Sequence, residues 1–178
     1  QGYTTDDKQT VADGGSVEIR LTVQKNENSA NKATVEAAMS SNGYTSGAVL
    51  DIDMTKTSTT SSGASQQSPI TVTSSLIKII IALPAELQGK DGYVVYRAHN
   101  FGSGVVADAI TTTANANGEY IEISSDKTQI TAYLKYFSPY AIAFADDRSP
   151  TSGLGGGSGF ELSYEIASSA DSGGSISP

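Results

Sequence analysis

Apolar and polar residues alternate with a period of two over much of the chain. Between positions 16 and 24, every second residue from Val17 to Val23 is apolar, and a Gly14-Gly15 turn precedes this segment. Because successive side chains of a strand point to opposite faces, the pattern predicts a strand with one buried face. The same reasoning predicts further strands over 49–57, 76–83, 93–98, 105–112, 120–124, 129–136 and 140–145, and a short one around 70–72.

Other segments break the alternation. Residues 29–41 are rich in Ala at helical spacing, which predicts one short helix that Asn28 or Ser29 begins and Asn42-Gly43 ends. Residues 58–68 are almost all small or polar, which predicts a loop. The Asn117-Gly118 pair favours a hairpin turn, because both residue types tolerate a positive φ.

Many short strands separated by turns every 8–12 residues are typical of a β-sandwich. We therefore expect residues 1–145 to form an all-β, Ig-like sandwich of short antiparallel strands with one short helix. The apolar faces predict a core that comprises Ile19, Leu21, Leu50, Ile52, Ile79, Ile81, Ile121, Ile123, Leu134 and Ile142.

The composition changes after residue 145. Residues 146–159 include five Gly and predict a flexible linker. Residues 160–178 then begin with an alternating apolar stripe, Phe160, Leu162, Tyr164 and Ile166. A single strand does not fold alone, so this segment is expected to add to an open sheet edge, either in cis or head to tail in another copy.

Charge and composition exclude several classes of function. Eleven Lys and Arg against nineteen Asp and Glu give a net charge of −8, which argues against a nucleic-acid partner. No apolar run has the length of a membrane span, so no membrane insertion is expected. The chain has no Cys and one His, which excludes disulfides, thiolate metal sites and His clusters, and we predict no cofactor.

A few residues are candidates for chemistry. His99 is the only conventional neutral-pH acid–base group, but no nucleophile elbow or carboxylate motif accompanies it, so we predict no enzyme activity. Two groups of oxygen-bearing residues could contribute to a Ca²⁺ site, although neither matches a calcium-loop spacing. The first is Asp51 and Asp53, and the second is Asn115, Asn117 and Glu119; the alternatives are a solvated strand face and a hairpin turn.

Two further features have both a functional and a structural interpretation. Lys56 ends an apolar strand and could form a Lys–Asn isopeptide bond, but the chain has no recognisable motif for this bond, and we favour an exposed Lys at a strand end. The five tyrosines Tyr93, Tyr96, Tyr133, Tyr136 and Tyr140 fall on different strand faces, so we expect some to be exposed. Exposed aromatic rings bind sugars or protein partners, whereas half-buried ones are ordinary core edges.

Three segments carry a resemblance to a known family. Residues 83–87 (LPAEL), 93–99 (YVVYRAH) and 137–143 (FSPYAIA) are similar to a β-rich module of large surface proteins from gut Firmicutes, whose final strand resembles FSTYAIAY. The resemblance covers about residues 10–146, and Pro139 departs from it where the family usually has Thr. Residues 164–178 resemble the start of an internalin-B-type surface repeat, which would make this segment the beginning of a truncated following repeat.

The resemblance implies a modular, extracellular chain on the cell surface or cell wall of a Gram-positive bacterium, with no known catalysis. We therefore expect a non-catalytic structural or adhesive module that serves spacing, display and assembly, with other modules of the same protein as partners. The alternative is a module that binds a glycan or a host protein.

Overall fold

The computed structural model describes residues 3–25, 32–100, 104–145 and 164–167, the last range as backbone only. Two α-helices and ten strands lie in these ranges, together with a single 3-10 turn at Ala85–Leu87. The helices are α1 (Thr5–Ala12) and α2 (Lys32–Ser41). The strands are β1 (Ser16–Lys25), β2 (Tyr44–Thr59), β3 (Ser65–Ile70), β4 (Val72–Ala82), β5 (Asp91–Asn100), β6 (Val105–Ile110), β7 (Tyr120–Ile123), β8 (Gln129–Tyr136), β9 (Pro139–Ala145) and β10 (Tyr164–Ala167).

The strands form two antiparallel sheets. The first sheet has the order β1-β2-β9-β5-β6, with β3 also paired to β2, and the second has the order β10-β4-β8-β7. Aliphatic side chains from both sheets form one shared core, in which Leu50, Ile79, Ile130 and Ile142 are fully buried. This architecture confirms the predicted all-β sandwich.

A third layer covers the outer side of the first sheet. Val35 and Met39 of α2 are buried against Val94 and Tyr96 of β5 and against neighbouring small residues of β9. Gly43, at a φ of +76°, follows α2 as predicted. The predicted helix start at Asn28 or Ser29 lies outside the described residues.

The 16-residue strand β2 organises the first sheet. Its second half pairs with β1, from Ser16 opposite Thr59 to Lys25 opposite Leu50. Its first half pairs on the other side with β9, from Tyr44 opposite Ala145 to Asp51 opposite Pro139. The strands β1 and β9 are both antiparallel to β2 and therefore run parallel to each other.

Two local predictions are wrong, and one helix was not predicted. The structure has a second helix, α1, which the sequence pattern did not indicate. Residues 58–68 are not one loop, because β2 continues to Thr59 and β3 begins at Ser65. The Asn115–Gly118 turn does not close a hairpin, since β6 belongs to the first sheet and β7 to the second.

The predicted core is largely correct. Seven of the ten named residues are buried, whereas Ile19, Leu21 and Ile123 are partly buried and pack against the core from its margin.

The expectation of exposed tyrosines is wrong for the five named, because three are buried and Tyr133 and Tyr136 are half-buried. Pro139 is the first residue of the central strand β9, a position that needs no N–H donor in the ladder.

The C-terminal strand β10 lies beside β4. Tyr164 is opposite Ile81 and Ala167 is opposite Lys78, in antiparallel register. The described part of the 160–178 segment is therefore paired in cis with the second sheet. The side chains of the predicted stripe, and the predicted linker over 146–159, lie outside the described residues.

Candidate functional site

A charged cluster lies inside the sandwich. Arg97 lies two residues after Val95 on β5, so both side chains are on the same face of the strand. Val95 belongs to the core between the sheets, and the side chain of Arg97 is fully buried there. It donates two hydrogen bonds to the buried carboxylate of Glu119, from Nη1 to Oε1 at 2.7 Å and to Oε2 at 2.8 Å. It also donates to Asp108 of β6, from Nε at 3.1 Å and from Nη2 at 2.6 Å. We call Arg97, Asp108 and Glu119 the Arg97 cluster.

The Arg97 cluster joins the two sheets. Glu119 directly precedes β7, and its Oε1 accepts hydrogen bonds from the backbone N–H groups of Lys135 at 2.8 Å and Tyr136 at 3.3 Å on β8. Its Oε2 accepts a further hydrogen bond from the amide of Asn115 at 3.3 Å. Arg97 belongs to the first sheet and these backbone donors to the second, so the carboxylate of Glu119 bridges the layers.

The neighbours of the cluster favour its charged state. Burial alone would raise the pKa of Glu119, but hydrogen bonds from Lys135 and Arg97 lower it. Burial alone would lower the pKa of Arg97, but Asp108 and Glu119 raise it. One guanidinium balances two carboxylates, of which Asp108 is 30% exposed, so water reaches the excess negative charge.

A second charged pair lies where α1 meets β2. Asp7 is 5% exposed at its side chain, and its Oδ2 accepts a hydrogen bond from Nζ of Lys56 at 2.8 Å. Its Oδ1 accepts from the hydroxyl of Ser58 at 3.2 Å. Burial alone would raise the pKa of Asp7, but the hydrogen bonds from Lys56 and Thr4 outweigh burial and lower it from 3.8 to about 2.

The carboxylate of Asp7 also takes part in the N-terminal cap of α1. Thr4 is the N-cap of α1, and its backbone N–H and hydroxyl donate to Asp7 at 2.7 and 2.8 Å. This capping box explains why a polar segment forms a helix here. After α1, Gly15 passes so close to β2 that a Cβ would lie 2.3 Å from the carbonyl oxygen of Thr59, so only glycine fits.

The predicted calcium residues have other roles in the structure. Asn115 uses its side-chain oxygen to accept from the N–H groups of Asn117 and Glu119, at 2.9 and 3.0 Å, which shapes the turn. Asp51 and Asp53 lie on one face of β2, where burial and the charge of Asp51 raise the pKa of Asp53. Within the described ranges, no group of three His, Cys, Asp or Glu side chains is arranged to hold a metal ion.

The only histidine lies next to the Arg97 cluster. His99 is half-buried on β5, and its ring centre is 5.0 Å from that of Tyr136. Burial and the nearby charge of Arg97 lower the pKa of His99, so its neutral form is favoured. His99 is thus a residue of the strand β5, one position beyond the strand predicted over 93–98.

In the described part of the chain, the charged partner of Lys56 is Asp7 rather than an asparagine. An amide bond between Lys and Asp would need a neutral amine and a protonated acid. The lowered pKa of Asp7 keeps its carboxylate ionised at neutral pH. The geometry is therefore that of a salt bridge.

Tyrosines also lie on the outer face of the second sheet. The rings of Tyr120 and Tyr133 stack at a centroid distance of 4.4 Å and an angle of 13°. The hydroxyl of Tyr133 donates to Glu122 at 3.1 Å. Each ring thus covers one face of the other, which leaves a smaller aromatic surface than two separate rings would offer.

Neither the Arg97 cluster nor the Asp7–Lys56 pair was predicted from the sequence. A signal for the first was present, because Arg97 interrupts the run from Tyr93 to Ala98, which is apolar on both faces of its strand. A charge inside such a run needs a buried partner. For the second pair, the Thr4–Asp7 spacing that closes the capping box was the available signal.

Comparison with family models, with curated proteins and with solved structures finds no match to this chain. Neither α-helix in the described part of the chain is long and apolar enough to cross a membrane. The resemblance to surface modules therefore stays a prediction from sequence.

Proposed function

We propose that this chain is a non-catalytic structural module of a bacterial cell-surface protein, which spaces and displays its neighbouring modules while force acts along the chain. The observation that carries the proposal is the placement of β1 and β9 on β2. The first residue of β1 lies opposite Thr59, at one end of β2, and the last residue of β9 lies opposite Tyr44, at the other end.

This placement determines how a pulling force would act. Tension between Ser16 and Ala145 would pull β1 and β9 in opposite directions, each along its own axis. Ladder hydrogen bonds are perpendicular to antiparallel strands, so sliding one strand past another strains the bonds of that ladder together. A peeling force would break them one at a time. The 16 residues of β2 separate the two points by roughly 50 Å.

Other contacts support the same proposal. The Asp7–Lys56 pair attaches α1 to the end of β2 at which β1 begins. The Arg97 cluster ties the second sheet to the first through fully buried charges. The resemblance stated above supports a location on the cell surface or wall of a Gram-positive bacterium, with other modules of the same protein as partners.

Single-molecule force spectroscopy tests the proposal. The chain has no native Cys, so handles can be attached at Ser16→Cys and Asp146→Cys to load β1 and β9 along β2. The matched control carries handles at Ser16→Cys and Ser62→Cys, both at the same end of the β1–β2 ladder, so that β1 is peeled off. We expect a clearly higher peak force in the first geometry, and an equal or lower force would refute the mechanical role.

A glycan or a host protein as ligand is the second candidate. The half-buried Tyr120 and Tyr133 favour it, because no described helix covers their face of the second sheet as α2 covers the first. Their mutual stacking reduces the ring surface available to a sugar, which is why we rank this function second. A glycan array with the wild type and a Tyr133→Ala variant tests it, and wild-type binding that the variant loses would support it.

A further inference from the structure

The short strand β10 pairs with β4, which is otherwise the edge strand of the second sheet. The second sheet has the order β10-β4-β8-β7, so β4 would be an edge strand without β10. Within the described residues, the contact extends over Lys78–Ile81 of β4 and Tyr164–Ala167 of β10. The described pairing thus occupies four of the eleven residues of β4 on this side.

This edge has the composition that favours strand addition. Ile79 and Ile81 face the core and are buried, while Ile80 is half-buried on the opposite face. Lys78 is the only charged residue of β4. Soluble proteins usually protect such an edge with charges, proline or a covering segment, because its free N–H and C=O groups recruit another strand.

The connection between the strand and its partner sheet is long. Eighteen residues separate Ala145 at the end of β9 from Tyr164 at the start of β10. That length of chain spans at most ~60 Å when extended, which reaches either its own β4 or the β4 of an adjacent copy. The ladder is the same in both cases, so the two arrangements differ mainly in the entropy of joining the strand to the sheet.

We propose that the β4 edge binds the Tyr164–Ala167 strand of a second copy of this chain when copies are crowded together. The proposal rests on the proposed function, because a surface module is held at high local density. A tethered strand acts at an effective concentration of order mM, so the cis arrangement dominates in dilute solution. Pairing between copies becomes comparable to pairing in cis when the local concentration of copies approaches the mM range.

Mixed single-cysteine chains test the exchange directly. Ile80 and Glu165 are directly paired residues, and such pairs lie close enough for a disulfide. An Ile80→Cys chain mixed with a Glu165→Cys chain under mild oxidation can form the disulfide only in trans. We expect a covalent heterodimer on non-reducing electrophoresis, and we expect its fraction to rise with total protein concentration.

The matched control mixes the Glu165→Cys chain with a Glu122→Cys chain, whose exposed cysteine lies on β7 at the opposite edge of the same sheet. The double variant Ile80→Cys/Glu165→Cys should form an internal disulfide when dilute. A heterodimer fraction no higher than in the control at any concentration would overturn the proposal, and so would a double variant that forms no disulfide at all. The force experiment loads residues before 147, so its outcome is independent of this one.

Discussion

The Arg97 cluster and the Asp7–Lys56 pair each bind a buried carboxylate to a cation, but the elements that they connect differ in their apolar contacts. Arg97 and Glu119 are completely buried and doubly hydrogen-bonded to each other, between two sheets that share an apolar core. Lys56 is 17% exposed, and α1, which the pair attaches, buries no apolar side chain of its own. We therefore expect the Arg97 cluster to open only when the whole sandwich unfolds, and the attachment of α1 to open locally.

The two helices make the same contrast. Val35 and Met39 hold α2 on the first sheet by apolar burial. By contrast, Asp7 is the only buried residue of α1, and Val11 of this helix is 45% exposed. We therefore expect α1 to detach under conditions that leave the sandwich intact.

The largest expected effect is from Arg97→Met. The substitution leaves the carboxylates of Glu119 and Asp108 without their cation, and removing one partner of a buried pair costs ~3–5 kcal/mol. Urea unfolding followed by circular dichroism measures the loss of stability. The control is Arg20→Met on β1, whose partner Glu18 is 61% exposed, and we expect a change below ~0.5 kcal/mol there. A loss below ~1 kcal/mol for Arg97→Met would mean that the cluster does not join the sheets.

Lys56→Met should have a smaller and local effect. Asp7 keeps its bonds from Thr4 and Ser58 but loses its cation, which we expect to cost ~1–2 kcal/mol in the attachment of α1. Limited proteolysis within α1 should accelerate while the rest of the chain remains protected. Lys8→Met, which removes the same charge from an exposed position of α1, is the control. Equal proteolysis of the two variants would contradict this role of the pair.

Acid should release α1 in a defined pH range. Asp7 has a lower pKa in the folded chain than its ordinary value of 3.8, so its contribution is complete above that value. It is lost as pH falls from about 4 to about 2, when the unfolded state binds the proton first. An Asp7→Asn variant should lack this component of the acid titration. If wild type and variant have the same pH dependence of α1 protection over this range, Asp7 does not control the attachment.

Lys56 and Asp7 should not become covalently linked. An amide bond between them would release water, and a bond from Lys56 to an asparagine would release ammonia. We expect intact mass spectrometry to give the sequence mass without either loss. A deficit equal to one of these molecules would replace the salt bridge with a cross-link.

Local patterns predicted the strands but not their partners. Alternation located β1 and β8 within a few residues, because one face of each is buried. It did not reveal that β3 would pair with β2, since Ser, Gln and Thr side chains give no apolar period there. The sequence also did not indicate that the chain passes from the first sheet at β6 to the second at β7, because an Asn-Gly turn is compatible with a hairpin and with a connection between sheets.

The charged sites were harder still to predict. Glu119 was noticed as an oxygen ligand, but its partner Arg97 is 22 residues away and no motif links them. The segment of α1 has no apolar face, so periodicity could not indicate a helix there. In both cases the structure depends on a tertiary contact between charges, for which a single sequence has no periodic signature.

Native-state hydrogen exchange tests the central claim, which is that α1 opens locally whereas the Arg97 cluster opens only when the sandwich unfolds. The N–H of Asp13 bonds within α1, and the N–H groups of Lys135 and Tyr136 bond to Glu119. We predict that the α1 amides exchange through a local opening well below the global free energy of unfolding, and that Lys135 and Tyr136 exchange only through global unfolding. Equal opening free energies at both places, or faster exchange at Lys135 than in α1, would contradict the account.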